Sequence, residues 1–190
     1  KEYGIDPNRL GVFGGSSGGH LSLMLATCGG PGDPNAADPV DRESSAVQAA
    51  TVFYPVTDLL NLGPSTENLG DGGPPKSFRK SFGTKAMDLN EWKIIGREVS
   101  PIYHVTKALP PIFITHGGAD TLGPLDQSTR FQQKAAELGR EVADKYDRTV
   151  VVAGSVGPTG EIFAPMGALT HSVAVEIFHE ALRCGRYTSF

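Results

Sequence analysis

The sequence predicts an α/β protein with a mostly parallel sheet flanked by helices, and three observations lead to this prediction. Short apolar segments alternate along the chain with segments of helical periodicity. The apolar segments are nearly continuous and rich in β-branched and aromatic residues, as is typical of parallel strands buried on both faces. The 24 glycines and 14 prolines lie mainly between these segments, where they indicate turns.

The order of the elements follows from these signals. Strands are predicted at residues 9–13, 46–54, 112–115 and 149–153. Helices are predicted at residues 20–28, 88–97, 125–138 and 172–182, with Gly139 and Gly185 ending the last two. Because parallel strands are joined by helical crossovers, we expect helices on both faces of the sheet and chemistry just beyond the carboxyl ends of the strands.

The 190 residues are predicted to form a single domain, residues 1–190, interrupted twice. An inserted excursion is expected at about residues 59–100, where periodicity is weak, and an inserted loop at about residues 154–170. The excursion carries Phe78, Phe82 and Trp92. These aromatic residues are equally compatible with the wall of a substrate pocket and with simple surface packing.

Composition and charge exclude several classes of function. The net charge is −4 and no cluster of five or more basic residues occurs, which argues against a nucleic-acid partner. No apolar run approaches the roughly 18 residues of a membrane span. The two cysteines, Cys28 and Cys184, match no metal-ligand spacing and are interpreted as free thiols, with a disulfide as the alternative. A small-molecule substrate fits this composition best.

The most informative pattern is Gly14-x-Ser16-x-Gly18, which lies between a predicted strand and a predicted helix. A strand that turns directly into a helix forces its apical residue into a strained backbone conformation, and small neighbours avoid collisions. The apical side chain then projects at the end of the sheet, beside the free N–H groups of the helix. A phosphate loop would need a lysine and a dinucleotide loop a different glycine register, so a nucleophile elbow is favoured over these and over a plain turn.

A serine nucleophile needs a base, and the base needs an orienting acid. In this architecture the acid follows the nucleophile in sequence and the base comes last. Asp120 follows the strand at 112–115 and is the preferred acid, whereas Asp58 is the alternative and is expected instead to cap the turn at residues 55–59.

Two histidines follow Asp120, and either satisfies this order. His171 precedes the last predicted helix and is preferred as the base over His179, which lies inside that helix. The other three have structural interpretations: His20 packs against or hydrogen-bonds the elbow, His116 orders the loop that holds Asp120, and His104 lies in a loop.

Five stretches resemble the α/β-hydrolase superfamily, in particular the bacterial esterase/lipase group that includes hormone-sensitive-lipase-like, feruloyl and acetyl esterases. The matching stretches are residues 9–21 (RLGVFGGSSGGHL), 54–58 (YPVTD), 100–103 (SPIY), 110–120 (PPIFITHGGAD) and 124–128 (PLDQS). The resemblance implies Ser16 as nucleophile, Asp120 as acid, His171 as base and the backbone of Ser17 as an oxyanion donor. It also implies that no metal or organic cofactor is needed.

The sequence departs from this family in two respects. His171 lies 51 residues after Asp120 in a Thr-His-Ser context, where the family has a Gly-His-Gly-like turn after about thirty residues. The family's first half, with the His-Gly-Gly-Gly segment of the oxyanion hole, has no counterpart here. Because one oxyanion donor is worth about 10²–10³ in rate, the chain is expected to be weakly active or poorly stable unless a homo-oligomer or a second chain completes it.

These features predict a serine carboxylesterase that hydrolyses short-chain or aromatic acyl esters, in which the alcohol could belong to a carbohydrate. A prolyl-oligopeptidase-type serine peptidase and a non-catalytic hydrolase-like module are the alternatives. The small Ser17 argues against the peptidase, since those enzymes often carry an aromatic residue after the nucleophile.

Overall fold

The computed structural model describes residues 4–146 and 151–155. In this part of the chain four strands form one parallel sheet in the order β1-β2-β3-β4. The strands are β1 (Gly11–Gly15), β2 (Ala49–Phe53), β3 (Ile112–Gly117) and β4 (Val151–Ser155). The helices are α1 (Ser17–Cys28), α2 (Leu89–Glu98) and α3 (Asp126–Tyr146), with short 3₁₀ turns at Val40–Arg42, Lys76–Phe82, Thr84–Met87 and Pro101–His104. The parallel α/β sheet predicted from the sequence is confirmed.

The main core covers one face of the sheet. Val52 of β2 and Ile114 of β3 pack there against Leu23 of α1 and Phe131 of α3, all of them fully buried. The opposite face carries Phe13, which is 52% exposed. The crossover helices α1 and α3 lie together on the core face, because right-handed crossovers that always advance to the next strand place their helices on the same side. The last predicted helix, at residues 172–182, lies outside the described residues, so the expectation of helices on both faces stays a prediction.

The segment between β2 and β3 forms a second, smaller core. Trp92 of α2 is fully buried and packs against Phe82, with ring centroids 5.0 Å apart. Asp88 caps α2 by accepting hydrogen bonds from the backbone N–H groups of Asn90 and Glu91. Packing is thus the structural role of Trp92 and Phe82, while Phe78 remains 48% exposed.

A buried glutamine joins α3 to the loop that follows β2. The side-chain oxygen of Gln127 accepts the backbone N–H of Thr57 (3.0 Å) and of Asp58 (2.9 Å), and its NH₂ group donates to the carbonyl of Asn61 (2.8 Å). Gln127 is buried to 1% exposure. Because buried backbone N–H groups are costly to leave unpaired, this side chain holds the loop on the first turn of α3.

Two helix boundaries differ from the sequence prediction by three residues or more. α1 begins at Ser17 rather than at residue 20, so the glycine pair at 18–19 is helical. α3 continues through Gly139 to Tyr146. A glycine inside a helix costs about 1 kcal/mol relative to alanine, which the hydrogen bonds of a continuing helix can offset.

The predicted helix at 172–182, the inserted loop beyond residue 155 and Cys184 lie outside the described residues. Cys28 is a free, exposed thiol.

None of the helices in the described ranges is long and apolar enough to cross a membrane.

We predict that Gln127→Ala lowers the free energy of unfolding by about 3 kcal/mol, because two buried backbone N–H groups lose their acceptor. Gln133→Ala is the matched control, since Gln133 is an exposed glutamine of the same helix; its effect should stay below about 0.5 kcal/mol. Chemical denaturation of both variants measures the difference. Equal stabilities would show that the glutamine bridge contributes nothing.

Candidate active site

Ser16 occupies the turn between β1 and α1 in a strained backbone conformation. Its φ of 52° and ψ of −120° are unfavourable for a residue with a side chain. The conformation is held from both sides: the N–H of Ser16 donates to the carbonyl of Phe53 (2.9 Å), and its carbonyl accepts the N–H of His20 (2.9 Å). The side chain of Ser16 therefore stands at the carboxyl edge of the sheet, at the amino end of α1.

Glycine is required at one position around this turn and is tightly packed at another. A Cβ on Gly14 would lie 2.4 Å from the carbonyl carbon and oxygen of Gly18, which leaves no room for it. A Cβ on Gly19 would make a tight contact, 3.1 Å from the carbonyl oxygen of Gly14. A Cβ on Gly18, in contrast, would meet no atom within 4 Å among the described residues. The expectation that position 18 must be small because of its neighbours is therefore wrong. The close approach involves the backbone of Gly18, not the space beside its Cα.

Asp120 lies in the turn after β3, at the same edge of the sheet. One carboxylate oxygen, Oδ1, accepts the backbone N–H groups of Leu122 and Gly123, each at 2.9 Å. The side chain is 7% exposed. These two bonds fix the orientation of the carboxylate, so Oδ2 is available to a partner from elsewhere in the site.

His116, near the end of β3, stabilises this turn through two hydrogen bonds. It is buried, and burial lowers its pKa, so its ring is neutral. Nε2 donates to the carbonyl of Gly123 (2.6 Å), and Nδ1 accepts the hydroxyl of Ser128 (2.7 Å). Nε2 is also 3.8 Å from Oδ2 of Asp120. Because the ring is neutral and its proton points to Gly123, this second contact is not an ion pair. His116 thus orders the acid turn, as the sequence predicted.

Tyr54 lies between the elbow and the acid turn. It directly follows β2, the strand between β1 and β3. A Cβ on Gly15 would be 2.8 Å from the Tyr54 hydroxyl oxygen, so the phenol lies over the residue before Ser16. Burial raises the pKa of Tyr54, and the negative charge of Asp120 raises it further. Tyr54 therefore lies beside the elbow of Ser16 and is also influenced by the charge of Asp120.

Asp58, the alternative acid, has a different environment. Its Oδ1 accepts the backbone N–H groups of Leu60 and Asn61 and the hydroxyl of Tyr103, and its Oδ2 pairs with Arg130. The carboxylate is therefore committed to the turn and to α3, which confirms the expected capping role.

The remaining histidines divide between the described and the undescribed parts of the chain. Nδ1 of His20 hydrogen-bonds the carbonyl of Val56 (2.8 Å), and burial lowers the pKa of His20. His104 is half-buried, and its Nε2 hydrogen-bonds the carbonyl of Glu98. His171 and His179 lie outside the described residues. Within the described ranges, no group of three His, Cys, Asp or Glu side chains could hold a metal ion.

Sequence reasoning gave no role to Tyr54 or Arg130. Tyr54 lies in the stretch YPVTD, one of the five that resemble the esterase family. The sequence signal for it was an aromatic residue that precedes a proline at the end of a buried strand. Arg130 carried no local signal, because its pairing with Asp58 joins positions 72 residues apart.

Two family models match this chain. The model described as BD-FAE matches residues 1–135, and the model described as Homocysteine S-methyltransferase matches residues 111–188, less than half of the chain. Ser16 and Asp120 lie within the BD-FAE match. His171 and His179 lie beyond residue 135, where, of the two models, the second alone matches.

The chain is similar in sequence to esterases. The chain is 29% identical to the probable carboxylic ester hydrolase LipM and 31% identical to the esterase LipQ, both of Mycobacterium tuberculosis. These matches cover 74% and 73% of this chain and 31% of each relative, so the chain spans about a third of their length. Esterase 2 of Thermogutta terrifontis with butyrate bound superposes with a TM-score of 0.60 at 26% identity, covering 94% of this chain and 59% of that chain.

We predict opposite effects of alanine at two glycines of the elbow. Gly14→Ala places a methyl group against backbone and should lower the free energy of unfolding by more than about 2 kcal/mol. Gly18→Ala is the matched control and should be neutral or stabilising by up to about 1 kcal/mol, since it lies inside α1. Denaturant midpoints measure both. A destabilised Gly18→Ala together with a stable Gly14→Ala would contradict this packing.

Stability should also depend on pH through the buried histidines. The pKa of His116 and of His20 is lower in the folded chain than the ordinary value of 6.5, so the unfolded state binds more protons. These two histidines therefore contribute stability that is fully present above pH 6.5 and is lost as the pH falls below it. Denaturation at several pH values should give a shallower fall for His116→Asn than for wild type. A wild-type slope in His116→Asn would refute the assignment.

Proposed function

The chain belongs to the BD-FAE family, whose members have the α/β-hydrolase fold, and on this premise we propose that it acts as a serine carboxylesterase. The observation that carries the proposal is the strained backbone of Ser16 at the amino end of α1. Strain of 1–3 kcal/mol persists where the surroundings impose it and is concentrated at functional sites. A plain turn that requires this backbone conformation would ordinarily place a glycine there, because glycine adopts it without strain.

In the proposed reaction, Ser16 Oγ attacks the ester carbonyl while the base takes its proton. The backbone N–H of Ser17, the first residue of α1, stabilises the oxyanion of the tetrahedral intermediate. The base then protonates the leaving alcohol, and an acyl-enzyme on Ser16 remains. Water activated by the same base releases the acid. Asp120 orients the base through Oδ2, the oxygen not engaged by the backbone of its own turn.

The proposed base is His171, with His179 as the alternative. Both follow Asp120, as chain order in this architecture requires. Both also lie beyond the BD-FAE match, in the stretch matched by the Homocysteine S-methyltransferase model. The proposal for the base therefore rests on chain order, and mutagenesis has to decide it.

The proposed substrates are esters of short or aromatic acids, and the alcohol could be a sugar hydroxyl. The support for a short acyl group is the butyrate bound to Thermogutta terrifontis esterase 2, the structural relative described above. We also propose that a further strand, from a second copy or a second chain, pairs with β1, which is an edge of the described sheet. A protein that sediments as a monomer in analytical ultracentrifugation and is fully active in an ester-hydrolysis assay would overturn the proposal of an added strand.

We predict that a fluorophosphonate probe labels the wild-type protein and leaves Ser16→Ala unlabelled. Ser17→Ala is the matched control and should still be labelled, because its proposed role uses the backbone N–H. Intact mass spectrometry measures the adduct, and p-nitrophenyl acetate measures hydrolysis. A folded wild-type protein without labelling would support a non-catalytic module. Cleavage of a prolyl peptide amide in preference to the ester would support a peptidase.

The triad partners can be separated by paired substitutions. We expect His171→Ala and Asp120→Asn each to lower kcat by at least about 10³-fold. His179→Ala is the control for His171→Ala, and Asp58→Asn is the control for Asp120→Asn. Both controls should retain kcat, calculated per folded protein, to within about tenfold of wild type. The reverse pattern in either pair would move the role to the other residue. If both histidine variants keep wild-type turnover, the base does not lie in residues 136–188.

A further inference from the structure

The peptide unit that joins Phe53 to Tyr54 is hydrogen-bonded on both sides, to the Ser16 elbow and to β3. The N–H of Tyr54 donates to the carbonyl of Thr115 in β3 (2.7 Å), while the preceding carbonyl, that of Phe53, accepts the N–H of Ser16 (2.9 Å). The peptide unit between Phe53 and Tyr54 therefore lies between the nucleophile elbow and the strand that leads to Asp120. A shift at this point would move one loop relative to the other.

The backbone of Tyr54 is also strained. In the described ranges, Ser16 (φ 52°) and Tyr54 (φ 39°) are the two residues other than glycine with positive φ. Tyr54 precedes Pro55, and a residue before proline favours extended conformations, so its conformation opposes two preferences. Such a residue persists where its surroundings impose it, and it indicates a functional constraint.

The side chain and the carbonyl of Tyr54 reach opposite loops. A Cβ on Gly15 would lie 2.8 Å from the Tyr54 hydroxyl oxygen and 3.2 Å from the ring carbon that bears it. On the other side, the Tyr54 carbonyl oxygen lies 3.9 Å from the Cβ position of Gly123, whose N–H binds Asp120. Glycine at position 15 thus leaves room for the phenol, while the carbonyl of Tyr54 lies at ordinary contact distance from the acid turn.

Charge couples the phenol to the acid. The pKa of Tyr54 is raised by burial and by the negative charge of Asp120, which keeps the phenol neutral and able to donate a hydrogen bond.

We propose that Tyr54 is a positioning residue, whose strained backbone and phenol beside Gly15 hold the Ser16 elbow in register with the strand and turn that carry Asp120. The role in catalysis rests on the esterase proposed above. The charge coupling between Tyr54 and Asp120 does not rest on it, and it can be tested without any assay of activity.

The first experiment measures the ionisation of Tyr54 by NMR of protein labelled with ¹³C at the tyrosine Cζ, with Tyr54→Phe assigning the resonance. The pKa of Tyr54 should fall in Asp120→Asn, because the nearby negative charge is lost. Asp126→Asn is the matched control, since it removes a carboxylate six positions away that does not act on Tyr54. An unchanged pKa of Tyr54 in Asp120→Asn would overturn the proposal.

The second experiment measures kinetics of the intact protein. Tyr54→Phe keeps the ring over Gly15 and removes the hydroxyl, so kcat should fall about tenfold with KM changed less than twofold. Tyr103→Phe, which removes the hydroxyl that binds Asp58, is the matched control and should keep wild-type kcat. Wild-type kcat in Tyr54→Phe would overturn the positioning role. If wild type neither reacts with the fluorophosphonate nor hydrolyses esters, the esterase fails, while the titration still decides the coupling.

Discussion

The site depends on one pair of backbone hydrogen bonds that continue the parallel ladder past the ends of the strands. Ser16 donates to Phe53 and Tyr54 donates to Thr115, so each turn is attached to the neighbouring strand at the residue where its own strand ends. Parallel ladders place the carboxyl ends of all strands at one edge. The two residues can therefore keep unfavourable φ values, because the sheet, not local preference, determines their conformation.

The same edge is stabilised from α3 by buried polar contacts. Gln127 satisfies the loop after β2, and Arg130 pairs with Asp58, which is 4% exposed. A buried ion pair contributes little net stability compared with apolar packing, but it is costly to break from one side. Its effect here is to hold the loop after β2 against α3. His116 and Ser128 extend this support to the acid turn.

Much of the fold and part of the site could be predicted from local patterns. The strand signals at 46–54 and 112–115 lie on β2 and β3, and the Gly14-x-Ser16-x-Gly18 pattern lies at the elbow. The placement of α1 and α3 on the same face of the sheet follows from strand order rather than from any single segment. Asp58 and Asp120 looked alike as aspartates after strands. Their partners distinguish them. Asp58 pairs with Arg130. Asp120 binds the backbone of its own turn, and its charge acts on Tyr54.

The sequence by itself determined the class of fold, the position of the elbow and the order of the candidate residues, because apolar periodicity and glycine spacing act over a few residues. Only the tertiary structure decided which glycines are needed, which aspartate is committed elsewhere and where Tyr54 lies. Those features are distances between segments that are far apart in the chain, such as Gly15 and Tyr54 or Asp58 and Arg130. No local pattern encodes such a distance, since it exists only once the strands have paired.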